Sequence, residues 1–508
     1  MTQGIEMNAS HIERIEKDSL GSVSIPVDAY YGPQTARGIE NFPISGIKIS
    51  HFPQFIRALA YVKMAAARAN VALGDLDKRK ADAICQVCEE ILAGRHFREF
   101  PLDVFQGGAG TSTNMNINEV IANRGLELMG MPRGTYDALH PNNDVNLSQS
   151  TNDVYPTALR LAILLSHGAL QQALEQLAAE CEGKAQKFSD VIKLGRTQLQ
   201  DAVPMTLGQE FQAFATTLRE DVARLGEIAA FFHEINLGGT AIGTGINTNP
   251  EYQALAVAEL RAISGVPVVP AGNLIEACWD TGAFVLFSGM LKRTATKLSK
   301  ICNDLRLLSS GPRGGLNEIN LPALQPGSSI MPGKVNPVVP EVVNQVAFQI
   351  IGYDLTVTLA AEAGQLQLNV MEPVIAYNIM HSLELLTNAV EVLRTKCVAG
   401  ITANPEICRK HLEASTALAT ALTPTIGYER AAELAKGVLI AGKTIREILA
   451  EQTDLSEELI AQTADPYLLT RPTRSRAALQ RRVDDNHLTL RVDPVAGLSV
   501  CMVNSKDL

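Results

Sequence analysis

Proline is largely excluded from helix interiors, and five long spans in the middle of this chain have interiors that escape it. They run over Ala158–Phe188, Gly208–Asn236, Gly282–Ser310, Pro337–Ala363 and Pro373–Gly400, and proline is confined there to the opening turns, at Pro337, Pro340 and Pro373, where a helix tolerates it. At 1.5 Å per residue each span predicts a helix of roughly 40 Å, well beyond the usual globular length. Segments such as "LRLAILLSHGALQQALEQLAA" hold more apolar residues than one buried face requires. A helix that is apolar on most sides is buried on most sides, so the five are expected to form a bundle that packs against copies of itself. Strand signals are sparse, and the expected class is mainly α.

The rest of the chain divides around this bundle. Residues 1–148 mix short helices with turn-rich segments, 149–401 hold the bundle, 402–471 read as a small C-terminal helical domain, and 472–508 read as a tail expected to be disordered. Five arginines fall between Arg471 and Arg482, a composition that suits a solvated segment. A net charge of −10 argues against nucleic acid or an anionic membrane as partner. No apolar run reaches the length of a membrane span, and the polar, acidic N-terminus resembles neither a secretory nor a mitochondrial targeting peptide. A cytoplasmic location is the expectation. Eight cysteines in 508 residues make no disulfide framework. Cys85 and Cys88 form a C-x-x-C within "KADAICQVCEEIL", but with no second pair they read as small buried hydrophobes of an amphipathic helix.

Four polar loops, three of them glycine-containing, interrupt the apolar background. "QGGAGTSTNMNINE" (106–119) and "SQSTNDVYPT" (148–157) present hydroxyls and amides ahead of helices, where any one of Ser150, Thr151, Asn152 or Asp153 could serve only as a cap. A helix start carrying such residues is also a ready carboxylate site. "GRTQLQDAVPMTLGQEF" (195–211) and "LQPGSSIMPGKVNPVVPE" (324–341) complete the set. None of the nine histidines falls in these loops; His140 in "LHPNND" comes nearest in sequence, with a structural or second-site role as well supported as a catalytic one. Neutral donors, a few cations and no metal-ligand spacing fit a small dicarboxylate better than a metal, nucleotide or sugar. "GGTAIGTG" (238–245) lacks the lysine of a phosphate-binding loop and reads as a tight turn between helices.

"GSSIMPGKVNP" resembles the signature loop of the fumarase/aspartase superfamily, with the accompanying regions in the family order as far as about Arg471. The text is more similar to the aspartase branch than to class II fumarases, the runner-up. It reads "GGAGTS" where those fumarases read more like "TGSGTQ", and Gln198 stands where they carry histidine, although aspartases can have either residue there. The resemblance implies a three-domain, fumarase/aspartase-like subunit whose five central helices build a twenty-helix core in a homotetramer. It also implies sites assembled from loops of three subunits.

The implied reaction is the reversible loss of ammonia from L-aspartate to give fumarate. The proton leaves the carbon beside the β-carboxylate, and the carbanion survives only as an aci-carboxylate held by fixed donors. By motif match Ser328 resembles the family's base, acting as an oxyanion. Lys334 and Asn336 match its carboxylate-binding pair, and Thr111, Ser150, Thr151, Asn152 and Thr197 match the other substrate-contacting positions. Gln198 lies beside the substrate. Glu341 matches the glutamate that pairs with histidine in fumarases and has no such partner here. No metal ligand and no cofactor is implied, and the resemblance permits Mg²⁺ as an activator.

Overall fold

A computed structural model describes residues 13–451 and 465–472, so the N-terminal reading and the arginine-rich tail beyond 472 lie outside the described residues. The architecture is mainly α, and β structure among the described residues consists of two-stranded pairs. Two compact units share the described chain: residues 13–180, 215–307 and 322–400 form one, and 181–214, 308–321, 401–451 and 465–472 belong to the other.

The five proline-poor spans become helices Thr151–Lys187, Leu207–Ala229, Gly282–Leu308, Val338–Glu362 and Glu372–Lys396. Two boundaries differ from expectation. The second helix ends at Ala229 and passes through a 3₁₀ turn, Ala230–His233, into a short strand. The first begins seven residues early and carries Pro156 inside it. Proline at 156 leaves the Asn152 carbonyl without its helical donor, and the Asn236 side-chain amide donates to that oxygen at 3.0 Å.

Within the first unit, polar links stitch the bundle helices laterally. Gln171 donates to the Val222 carbonyl at 3.0 Å, and Arg219 reaches Glu175 at 2.6 Å. The buried carboxylate of Asp221 accepts from Thr294 at 2.9 Å and lies 2.7 Å from both Arg293 and Lys297. Asn344 donates to Ser299 and Asn303, so Val338–Glu362 is registered against Gly282–Leu308. On the same helix Phe348, Ile351, Leu355 and Leu359 recur at spacings of three and four, and all face solvent in the single chain, three of them about 60% exposed. Such a stripe on a folded chain marks an association surface.

Cys85 and Cys88 lie on helix Lys78–Leu92, Cys88 fully buried, and burial pushes both thiols upward. The reading as a small buried hydrophobe fits Cys88, whereas Cys85 is half-buried. Two positions along this helix, Glu90 holds together its end of the unit. Its nearly buried carboxylate accepts two bonds from Arg124, at 2.9 and 3.0 Å, and faces His96 at 2.6 Å and Arg95 at 3.3 Å. Arg124 holds this acid down to about 2 against the opposing effect of burial. A depressed carboxylate stabilises the fold above its unfolded value near 4.5 and loses that contribution as pH falls toward 2, here about 3 kcal/mol in all. Glu90→Gln is expected to lower the thermal midpoint at neutral pH and to flatten the acid limb between pH 4.5 and 2, read by calorimetry at a series of pH values.

Candidate functional site

Two of the polar loops meet in the first unit around one buried cation. Lys63 is fully buried on helix Pro53–Ala72, and its ammonium donates to Asn114 at 2.7 Å, Asn146 at 2.9 Å and Gln149 at 2.9 Å. Burial pulls it down to about 7, with the Asp153 carboxylate acting in the opposite direction. Asn114 passes the connection on, donating to Thr151 Oγ1 at 3.2 Å. The helix start at Thr111 and the helix start at Thr151 are thereby tied side by side. Lys63 was not among the residues singled out by sequence, although a lone lysine within "ALAYVKMAAA" is a visible signal.

Each predicted residue of this unit has a definite place. Thr111 opens helix Thr111–Leu128 after three consecutive left-handed residues, Gly108, Ala109 and Gly110. At Gly110 a Cβ would stand 2.2 Å from the Tyr155 ring, so only glycine fits the junction. Thr111 is exposed and its hydroxyl donates to the Gly108 carbonyl at 2.7 Å. Ser150 caps the next helix: its Oγ accepts from Asn152 N at 3.3 Å, and its own N–H goes to Asp153 at 2.9 Å. Thr151 accepts from Asn114, and Asn152 donates to the Ala241 carbonyl at 2.7 Å.

Asp153 is fully buried and accepts from Ser150 N, Gly238 N at 3.1 Å and Thr240 N at 3.0 Å. The run "GGTAIGTG" is therefore a turn whose amides hold an internal carboxylate. Burial raises that acid to about 6. His140 serves a similar structural end: its Nδ1 accepts from Asn142 N and Asn143 N at the start of a short π-helix, Pro141–Val145.

The loop 324–337 closes on itself in the same unit. Gly327 N donates to the Lys334 carbonyl at 2.7 Å, and the Asn336 side chain donates to the Gly327 carbonyl at 2.8 Å. Inside this ring Ser328 Oγ accepts two backbone N–H bonds, from Ile330 at 3.1 Å and Met331 at 3.0 Å. The Lys334 side chain is exposed and makes no hydrogen bond or ion pair among the described residues. Glu341 is half-buried in the first turn of helix Val338–Glu362.

Thr197 and Gln198 belong to the second unit. Strands Ile192–Thr197 and Gln200–Thr206 form an antiparallel hairpin, a feature the sparse strand signals did not suggest. Gln198 and Leu199 make its two-residue turn with φ of +55° and +61°, a left-handed pair without glycine, and the tip is exposed. Among the described residues, no group of three or more His, Cys, Asp or Glu side chains could hold a metal ion, and no helix is long and apolar enough to cross a membrane.

Two family models match this chain, one described as lyase over residues 21–352 and one as the fumarase C C-terminus over 418–471. An aspartate ammonia-lyase of Pseudomonas canavaninivorans is 60% identical over 467 residues, covering 92% of this chain and 98% of the relative. Among solved structures, a fumarate lyase:delta crystallin from Brucella melitensis bound to cobalt is 60% identical with a TM-score of 0.89, over 91% of this chain and 100% of that one. A class II fumarase from Schistosoma mansoni is more distant in sequence, 37% identical with a TM-score of 0.86, over 91% of this chain and 100% of that one.

The ring around Ser328 depends on Gly327, where a Cβ would stand 2.7 Å from the Lys334 carbonyl oxygen and 2.9 Å from Asn336 N. These are backbone atoms and cannot step aside cheaply. Gly327→Ala is expected to open the loop, raising the rate of limited proteolysis within 324–337 several-fold while the thermal midpoint of the whole protein stays within a few degrees.

Proposed function

The chain belongs to the lyase family of the fumarase/aspartase superfamily, and we propose from this that it deaminates L-aspartate reversibly to fumarate and ammonia. The observation that carries the mechanism is the pair of backbone N–H groups aimed at Ser328 Oγ. A serine hydroxyl is far too basic to act as a proton acceptor unless its oxyanion is held, and two fixed amide donors with a nearby cation supply that stabilisation. Lys334, without a partner of its own, is the cation.

Ser328 Oγ⁻ takes the proton from the carbon bearing the β-carboxylate. The C–H electron pair passes into that carboxylate as an aci-carboxylate dianion, held by Lys334 and Asn336. The dianion then collapses to the C=C bond of fumarate, the C–N bond breaks, and its electrons leave with nitrogen, so the substrate ammonium departs as NH₃. The serine proton is finally lost to solvent. Thr111, Ser150, Thr151 and Asn152 line the helix starts that receive the α-carboxylate and amine, and Thr197 and Gln198 bound the substrate from the hairpin. Glu341 supports the loop from the helix that follows it. None of these steps calls on a metal or organic cofactor; Mg²⁺ enters the reading only as an activator.

Assembly completes the site. The exposed stripe of Phe348, Ile351, Leu355 and Leu359 supports a homotetramer built on the bundle, with each site drawing loops from three subunits. The exposed hairpin tip, far from any partner in a single chain's own hydrogen-bond network, fits that arrangement. The enzyme works in the cytoplasm on a small dicarboxylate.

Ser328→Ala is expected to reduce ammonia release by at least about a thousandfold with the oligomer intact by light scattering; undiminished release removes the base from Ser328. Product absorbance with L-aspartate and with L-malate separates the two branches of the family. Turnover of aspartate alone is expected, and turnover of malate alone would make the chain a fumarase.

A further inference from the structure

The hairpin that carries Thr197 and Gln198 is strained at its tip and irregular along its stem. Left-handed backbone at two successive side-chain-bearing residues is unfavourable and persists only where the surroundings impose it. Leu199, the second of them, is exposed, so apolar burial does not impose it. The stem shows what does.

Lys193 and Arg196 stand three apart on one strand, a spacing that places side chains on opposite faces of a regular ladder. The register shifts between Leu194 and Arg196, and this irregularity at Gly195 turns both cations toward one carboxylate. Gly195 permits it, because a Cβ there would stand 2.8 Å from the Val203 carbonyl oxygen. The carboxylate is Glu318, whose side chain is completely buried. Arg196 lies 2.8 Å from its Oε1, Lys193 3.2 Å from its Oε2, and His411 3.1 Å from Oε1. Lys193 is also paired with Glu210 at 2.7 Å.

Glu318 is itself fixed at its backbone: its N–H donates to the Leu308 carbonyl at 2.8 Å, and its carbonyl accepts from Asn404 N at 2.9 Å. Although burial opposes its charge, Lys193 and Arg196 hold the acid below the ordinary carboxylate range. A charge so enclosed is retained because its partners need it in place, since hydrophobic packing would serve stability as well.

We propose that Glu318 is a positioning residue for the substrate-contacting hairpin tip: through Arg196, next to Thr197 in the chain, and Lys193 it pins both sides of the irregularity and so sets where Thr197 and Gln198 project. The proposal rests on the role given above to those two residues. Glu318 touches no substrate and acts only through the strand.

The test pairs hydrogen–deuterium exchange with steady-state kinetics on the intact oligomer. Glu318→Gln keeps the shape and removes the charge; Arg196→Gln removes one cation and leaves Glu318 paired with Lys193, in case the first variant does not fold. In either variant, exchange at the amides of 196–201 is expected to rise at least tenfold over the parent, with exchange in helix Pro405–Glu413 unchanged. KM for L-aspartate is expected to rise about tenfold while kcat changes less than threefold. Unchanged hairpin exchange overturns the proposal, as does faster exchange spread evenly over the second unit, which would make the cluster a stability device only. The exchange result stands whether or not aspartate proves to be the substrate, so failure of the anchor and failure of the assigned reaction are read separately.

Discussion

Three amide oxygens around one buried ammonium hold two helix starts of the first unit together. Lys63 has exactly as many protons as Asn114, Asn146 and Gln149 offer acceptors, so the charge is solvated by protein instead of water. Asn114 comes from one helix start, and Asn146 and Gln149 come from the loop that leads into the other. The ammonium therefore does for the two polar loops what apolar packing cannot do for groups that must stay available to a polar ligand. Thr151 receives its bond from Asn114 only because Lys63 has already oriented that amide, which gives the hydroxyl a fixed direction before any ligand arrives.

Buried charge recurs as the device that places polar loops in an apolar, helical protein. Asp153 grips the turn after the second bundle helix, and Glu318 grips the irregular strand in the second unit. In each case the cost of removing a charge from water is offset by several directed partners, and directed partners fix geometry where hydrophobic contact would only fix distance. The loop 324–337 is different. It holds its shape through backbone and one asparagine, leaving the lysine unpaired. That division suits a segment that must engage a ligand and let it go.

Much of this was legible beforehand because helices announce themselves through period and proline. The five long spans follow from where proline is missing, and the loops from where glycine and hydroxyls cluster. Pro156 misled the first boundary: an interior proline normally ends a helix, and only Asn236, eighty residues away, supplies the donor that lets this one continue. The hairpin at 192–206 went unseen because its turn is Gln198–Leu199, whereas the sequence signal for such a turn is Asn-Gly or Asp-Gly. Glu318 left no local trace, because its meaning lies in which distant groups surround it. Lys63 shows in the sequence as a solitary lysine in an apolar helix, but its three acceptors do not.

The turn at 238–245 has a last implication. Backbone amides converging on one point, here those of Gly238 and Thr240, form the kind of nest that elsewhere draws phosphate. Here the nest arrives already filled, by the carboxylate of Asp153 from the chain itself. A cell is crowded with phosphorylated metabolites, and a vacant hollow beside the helix start at Thr151 would invite them. By supplying its own anion the molecule gains selectivity through prior occupation: the competitor is excluded because the seat is taken, with no need for any group to repel it.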